Sequence, residues 1–215
     1  MHPGVNLTEK PMKRTLTIVL LCCATSVCAQ QAVREHLSID EGWRFAFGDA
    51  SSPASDFGHG TEYFNYLTKA NSKHNVCPYS KKFDDSAWKV VDLPHDWVVD
   101  LPYAKEASHS HGYKTVGYKY PKTSVGWYRK TLVIQPKDAG RRLSLQFDGI
   151  FRDSKVWANG FYLGSEPSGY LAHTYDVTDY IDQTRLESGI PDTLRICVRA
   201  DATFEEGWFY EGAGI

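Results

Sequence analysis

The sequence predicts an all-β fold, with antiparallel strands stacked as a jelly-roll β-sandwich. Three observations carry this reading. Short runs with a two-residue period recur along the chain. Residues 142–147 are the cleanest, with Leu143, Leu145 and Phe147 on one face and Arg142, Ser144 and Gln146 on the other. Turn residues separate the runs, above all Asn159-Gly160, which joins 155–158 to 161–163. A two-residue type I′ hairpin needs positive φ at both positions, and Asn-Gly meets that need best. No long helical period, internal repeat or low-complexity tract interrupts the series.

The first residues stand outside this pattern. Met12-Lys13-Arg14 precedes an apolar run over 16–24 and then Val27-Cys28-Ala29. A basic start, a short apolar segment and small residues before a cut describe a secretory signal peptide over 1–29, with Met12 as a second candidate start. The run is too short to span a bilayer. A buried N-terminal strand is the ordinary alternative, and the charge order and Ala29 count against it. A lipoprotein leader with Cys28 as the lipidated residue is another, and Val27 is a poor neighbour for it. The expected location is therefore periplasmic or extracellular.

Removal of the leader leaves residues 30–215, enough for one domain with a sizeable core. The formal net charge of −2 argues against a general nucleic-acid or membrane-surface partner. Of the five cysteines, Cys22, Cys23 and Cys28 leave with the leader. Cys77 and Cys197 remain, too few for a disulfide framework in a domain of this size, and are expected as free thiols.

In chain order, 43–47 alternates and reads as a first strand. Residues 48–82 show no sustained period. They read as a long insertion with a short helix near 63–69, either a rim around a binding cleft or surface decoration. A helical turn is expected over 83–88, capped by Asp84 and dropping Trp88 into the core. Pro94 stops a strand over 89–93, and a loop follows over 96–103. Residues 105–124 are polar. His109 and His111 have the spacing of two metal ligands, but no third ligand is near and a solvated loop is the better reading, with no metal expected. After the central hairpin come a strand over 171–177 with Leu171, His173, Tyr175 and Val177 on one face, a helical turn over 178–181, a loop over 185–192 and a strand over 193–198.

Several of these segments together resemble glycoside hydrolase family 2, the β-galactosidase and β-glucuronidase group. They are Gly126-Trp127-Tyr128-Arg129-Lys130, Phe147-Asp148-Gly149, Val156-Trp157-Ala158-Asn159-Gly160, Leu163-Gly164 and Gly169-Tyr170. Leu93-Pro94-His95-Asp96-Trp97 upstream and 207–215 downstream match in the same order. The resemblance covers roughly 37–215 and is to the family's N-terminal sugar-binding domain, a galactose-binding-domain-like sandwich. It implies a β-galactoside or related oligosaccharide as partner, and downstream immunoglobulin-like and barrel domains in the same protein. It also implies that 214–215 open a strand, so that the domain is truncated at its C-terminal end.

A retaining glycosidase needs two carboxylates roughly 5 Å apart, one as acid/base and one as nucleophile. In the resembled family they lie on the barrel, so no catalytic residue is expected in this chain, and no cofactor. Glu205, Glu206 and Glu211 read as solvated loop carboxylates, and no nucleophile motif appears. The resemblance singles out Asp201, which corresponds to an aspartate reaching from this domain into the barrel's sugar site. A carboxylate can accept hydrogen bonds from two neighbouring sugar hydroxyls. An aspartate capping its own turn is the equally weighted alternative.

Of the six tryptophans, Trp43, Trp88, Trp127 and Trp157 lie in strand or turn patterns and read as core. Trp97 and Trp208 lie in loops and are the candidates for a cleft wall on which a sugar face could stack. His95 and Asp96 read as a structural clamp after Pro94. Two other roles stay open: a stand-alone carbohydrate-binding module, and a domain that only supports a neighbouring barrel.

Overall fold

The computed structural model describes residues 34–59, 77–205, 207 and 211–215. The leader, the helix expected near 63–69, and Glu206 and Trp208 lie outside these residues. The chain divides into two units, Met1–Ile39 and Asp40–Ile215. Residues 34–39 of the first form no regular element. The second carries the fold.

Eight strands lie among the described residues. β1 (Trp43–Phe47) buries Trp43 and Phe45, and β2 (Lys89–Val91) pairs with it antiparallel. β3 (Val125–Ile134) is the long central strand. β4 (Ser144–Phe147) buries Leu145 and Phe147 and exposes Ser144 and Gln146. β5 (Ser154–Ala158) and β6 (Phe161–Glu166) form the expected hairpin, with φ of 49° at Asn159 and 85° at Gly160. β7 (His173–Asp176) and β8 (Asp192–Asp201) complete the set.

Six strands form one antiparallel sheet in the order β2-β1-β3-β8-β5-β6, and β4 pairs with β7 in a second. Trp43 of β1 meets Phe147 of β4 with ring centroids 6.4 Å apart, and Tyr175 of β7 lies against Gly164 of β6. The two sheets therefore face each other as a sandwich.

Four local expectations change. A short helix, α1 (Gln183–Glu187), replaces the start of the loop expected over 185–192. Asp182 caps it by accepting from the Arg185 N–H at 3.1 Å, and Leu186 is buried. Leu171 is exposed, so β7 begins only at His173. Residues 83–88 form turns rather than a helical turn. Asp84 accepts from the Ser86 N–H, and Trp88 is still buried. β8 runs to Asp201, three residues beyond the expected strand, because β3 offers a partner along its whole length.

The sheet is also buried on its second face. Alternation points Gly126 and Tyr128 of β3 toward the two-stranded sheet, and Val125, Trp127 and Arg129 away from it. On that outer face Trp127 and Trp157 stack at 5.7 Å, within a cluster completed by Cys77, Tyr79, Trp88, Val125 and Cys197. Phe57 and Phe83 pack against it. The described ends of the 48–82 insertion thus cover a second core. Cys77 and Cys197 are free thiols buried within it, as expected.

Candidate functional site

Strand register gathers the polar groups of this outer face. Trp127 on β3 and Lys155 on β5 both lie across from Arg199 on β8. Asp201 lies two residues along β8, on the same face, opposite Val125. The loop after β1 brings Asp56 over them.

Asp56 is 3% exposed and doubly held. Its Oδ1 accepts from Trp127 Nε1 at 2.6 Å, and its Oδ2 accepts from Arg199 Nε at 2.8 Å. Gly48 makes room for it, since a Cβ there would stand 2.1 Å from Asp56 Oδ1. Arg199 then donates through Nη1 to Asp201 Oδ2 at 3.0 Å. The other carboxylate oxygen of Asp201 accepts from the Thr203 N–H at 3.0 Å. Each oxygen keeps a further lone pair, and the side chain is 26% exposed.

Charge follows from this packing. Burial alone would raise the Asp201 carboxyl, but the Arg199 guanidinium and the Thr203 N–H outweigh it and hold the group below its ordinary value. Burial pushes Lys155 down, with Arg199 adding to the effect. Burial, followed by the charges of Arg199 and Lys155, pushes His59 down to about 3. Lys155 Nζ lies 3.5 Å from His59 Nε2, so the neutral ring faces the ammonium.

Asp201 thus ends a strand rather than standing in the loop beyond it. Its N–H donates to the Arg152 carbonyl at 2.8 Å, which fixes an aromatic strip alongside. The Arg152 guanidinium lies 5.2 Å over Phe204 and 5.9 Å over Phe151. Tyr118 meets Phe204 edge-on at 6.0 Å, and Phe151 meets Tyr170 at 5.6 Å. Tyr118 and Tyr170 are exposed, as is part of Phe204. Phe151 and Tyr170 also wall a cleft of about 270 Å³ whose far side carries His95, Asp96 and Glu211.

The tryptophans divide differently from expectation. Trp43, Trp88, Trp127 and Trp157 are core residues, as read. Trp97 is 2% exposed and forms no cleft wall. Its backbone N–H donates to the Ala213 carbonyl and its Nε1 to the Thr123 carbonyl, so its ring turns inward against Phe45 and over Gly126. Trp208 lies outside the described residues. Asp96 is the clamp the sequence suggested: its Oδ1 accepts from the N–H groups of Val98 and Ala213. His95 Nδ1 lies 2.8 Å from the Tyr128 hydroxyl.

His109 and His111 do not converge. His109 is exposed, while His111 is buried and donates through Nδ1 to the Glu211 carbonyl. Among the described residues, no three His, Cys, Asp or Glu side chains are grouped to hold a metal ion. Glu211 corrects the reading of a solvated carboxylate, since it is 7% exposed. Glu205 is half-buried against Gly117. Arg152, Phe204, Tyr118 and Asp56 were not singled out in the sequence. Only the aromatic-basic pair Phe151-Arg152 carried a local hint.

The fold defines a class, the antiparallel β-sandwich domains, and the comparisons narrow it. No family model matches the chain. Over 182 residues it is 31% identical to the beta-galactosidase BoGH2A of Bacteroides ovatus, covering 85% of this chain and 17% of that protein. It is 30% identical over 110 residues to a beta-galactosidase of Thermoanaerobacter pseudethanolicus, covering 51% of this chain and 13% of that protein. Among solved structures, a glycosyl hydrolase family 2 member from Bacteroides cellulosilyticus superposes with a TM-score of 0.60 at 25% identity, over 83% of this chain and 19% of that one. A beta-glycosidase from Bacteroides vulgatus gives 0.58 at 25% identity, over 84% and 19%. The chain is similar in sequence and in fold to a β-sandwich domain of the family 2 glycoside hydrolases. It spans less than a fifth of the length of these relatives.

Proposed function

We propose that this chain is the sugar-binding domain of an exported family 2 glycoside hydrolase that cleaves O-glycosyl bonds, most like a β-galactosidase. The leader over 1–29 directs export. The acid/base and nucleophile carboxylates belong to a barrel domain of the same protein. This domain contributes Asp201 to the sugar site and the strip from Tyr118 through Phe204 to Tyr170 as an apolar platform beside it. One observation carries the reading. Asp201 is held rigidly by Arg199 and Thr203, yet its carboxylate remains part-exposed at the rim. Such a group can accept two sugar hydroxyls in charge-assisted bonds.

The test is kinetic and uses the full-length protein that carries this domain and a barrel. Asp201→Ala should lower kcat/KM on an aryl β-galactoside by about 1.5–3 kcal/mol, and Asp201→Asn by less, because the amide keeps one acceptor oxygen. Melting curves control for folding. Unchanged kcat/KM in both variants would reduce Asp201 to a residue of its own turn. Robust turnover by residues 30–215 alone would overturn the assignment of catalysis to a barrel.

A further inference from the structure

Asp201 is the end of a relay that begins one loop away. Asp56 sits in the turn after β1, its backbone fixed by N–H donation to the Ser52 carbonyl and by its own carbonyl accepting from His59. Its carboxylate is fixed at both oxygens, by Trp127 and by Arg199. The Nε side of the Arg199 guanidinium is therefore anchored, and Asp201 receives a bond through Nη1 on the other side. Because the guanidinium is planar and rigid, the anchor at Nε fixes the direction from which Nη1 reaches Asp201.

We propose that Asp56 is a positioning residue for Asp201: by holding Arg199 at Nε it fixes the guanidinium whose Nη1 anchors Asp201 Oδ2, and so sets the position in which the rim carboxylate accepts ligand hydroxyls. This rests on the sugar-site reading of Asp201 only for its consequence, not for its geometry. Trp127 and Gly48 belong to the same device, one as the second anchor of Asp56 and the other as the space it occupies.

Arg199 on its own strand is the charge that acts on Asp201, which in turn faces Lys155 on β5 and His59 from the loop, while Asp56 and Asp153 also face Lys155. Replacing Asp56 with alanine removes the acceptors of both Trp127 Nε1 and Arg199 Nε, and frees the guanidinium to turn away from Asp201. Asparagine keeps one of the two acceptors.

Two measurements test the proposal. The first, on this chain, follows the ¹³C resonance of the Asp201 carboxyl against pH, assigned with Asp201→Asn. In Asp56→Ala its titration midpoint should rise by about half a pH unit or more, because the Arg199 contact that lowers it is loosened, and Asp56→Asn should give a smaller rise. A midpoint that is unchanged, or that falls as loss of a negative charge alone would make it, overturns the proposal whether or not any sugar binds. The second is kcat/KM on an aryl β-galactoside in a double-mutant cycle, in the full-length protein that carries this domain and a barrel. Asp56→Ala should lower it several-fold, Arg199→Lys should do the same, and neither should matter in an Asp201→Ala background. A loss that persists without Asp201 overturns the proposal. A kcat/KM indifferent to Asp201→Ala refutes the sugar-site reading instead, and the carboxyl titration still decides the role of Asp56.

Discussion

His59 should set an acid limit on the stability of this domain. Its ring is 9% exposed and lies edge-on to Trp127 at 5.5 Å and to Trp157 at 5.9 Å. Burial and the neighbouring charges of Arg199 and Lys155 lower its pKa from 6.5 to about 3. Below the unfolded value the open chain binds a proton that the folded state refuses. The stabilisation is therefore complete above about pH 6.5 and is lost as the pH falls toward 3. Each unit of difference is worth about 1.4 kcal/mol, so acidification by about two units below 6.5 should remove about 2–3 kcal/mol. Urea unfolding of the wild type and of His59→Gln, each at about pH 7 and about pH 4.5, measures this directly. The wild type should lose more stability than the variant across that interval, by the amount stated. The difference between proteins cancels the carboxylates, such as Asp176 and Asp201, whose titration lies lower. Identical pH dependence in both proteins would show that His59 is charged in the fold or solvated, and would refute the reasoning.

Two further perturbations test the packing. Asn159 is 2% exposed, and its amide donates to the carbonyls of Tyr180 and Thr193 and accepts from the Arg195 N–H. Asn159→Ala should cost about 2–4 kcal/mol by thermal or urea unfolding, and Asn159→Gly, which keeps the turn conformation, should cost nearly as much. A neutral Asn159→Gly would mean that only the turn matters. Gly126→Ala would place a methyl 2.4 Å from the Trp97 ring, whose Nε1 is tied to Thr123. It should destabilise by at least ~1–3 kcal/mol and shift the tryptophan fluorescence, and an unchanged melting temperature would show that the ring can move aside.

The alternation of short segments determined the sandwich, because a strand with one apolar face must bury it and its period is readable locally. The Asn159-Gly160 turn was legible for the same reason, as positive φ is a property of the residues themselves. The motif block from 126 to 170 determined the family resemblance. Asp201 was legible only through that resemblance, since an aspartate after a strand is ordinary in any sequence.

Tertiary structure decided the rest. Trp97 looked like a loop residue open to a ligand, but its environment is set by Ala213 and Thr123, which are distant in sequence. The 48–82 insertion shows no period, so nothing local revealed that its ends bury the second face of the sheet. Asp56, Arg199 and Asp201 form one chain of contacts across 145 residues of sequence, joined by strand register and a loop returning over the sheet. Hydrogen bonds and ion pairs carry no periodic signature. Which carboxylate meets which guanidinium is fixed only when the backbone has brought them together, and so the candidate site belongs to the fold rather than to any stretch of the sequence.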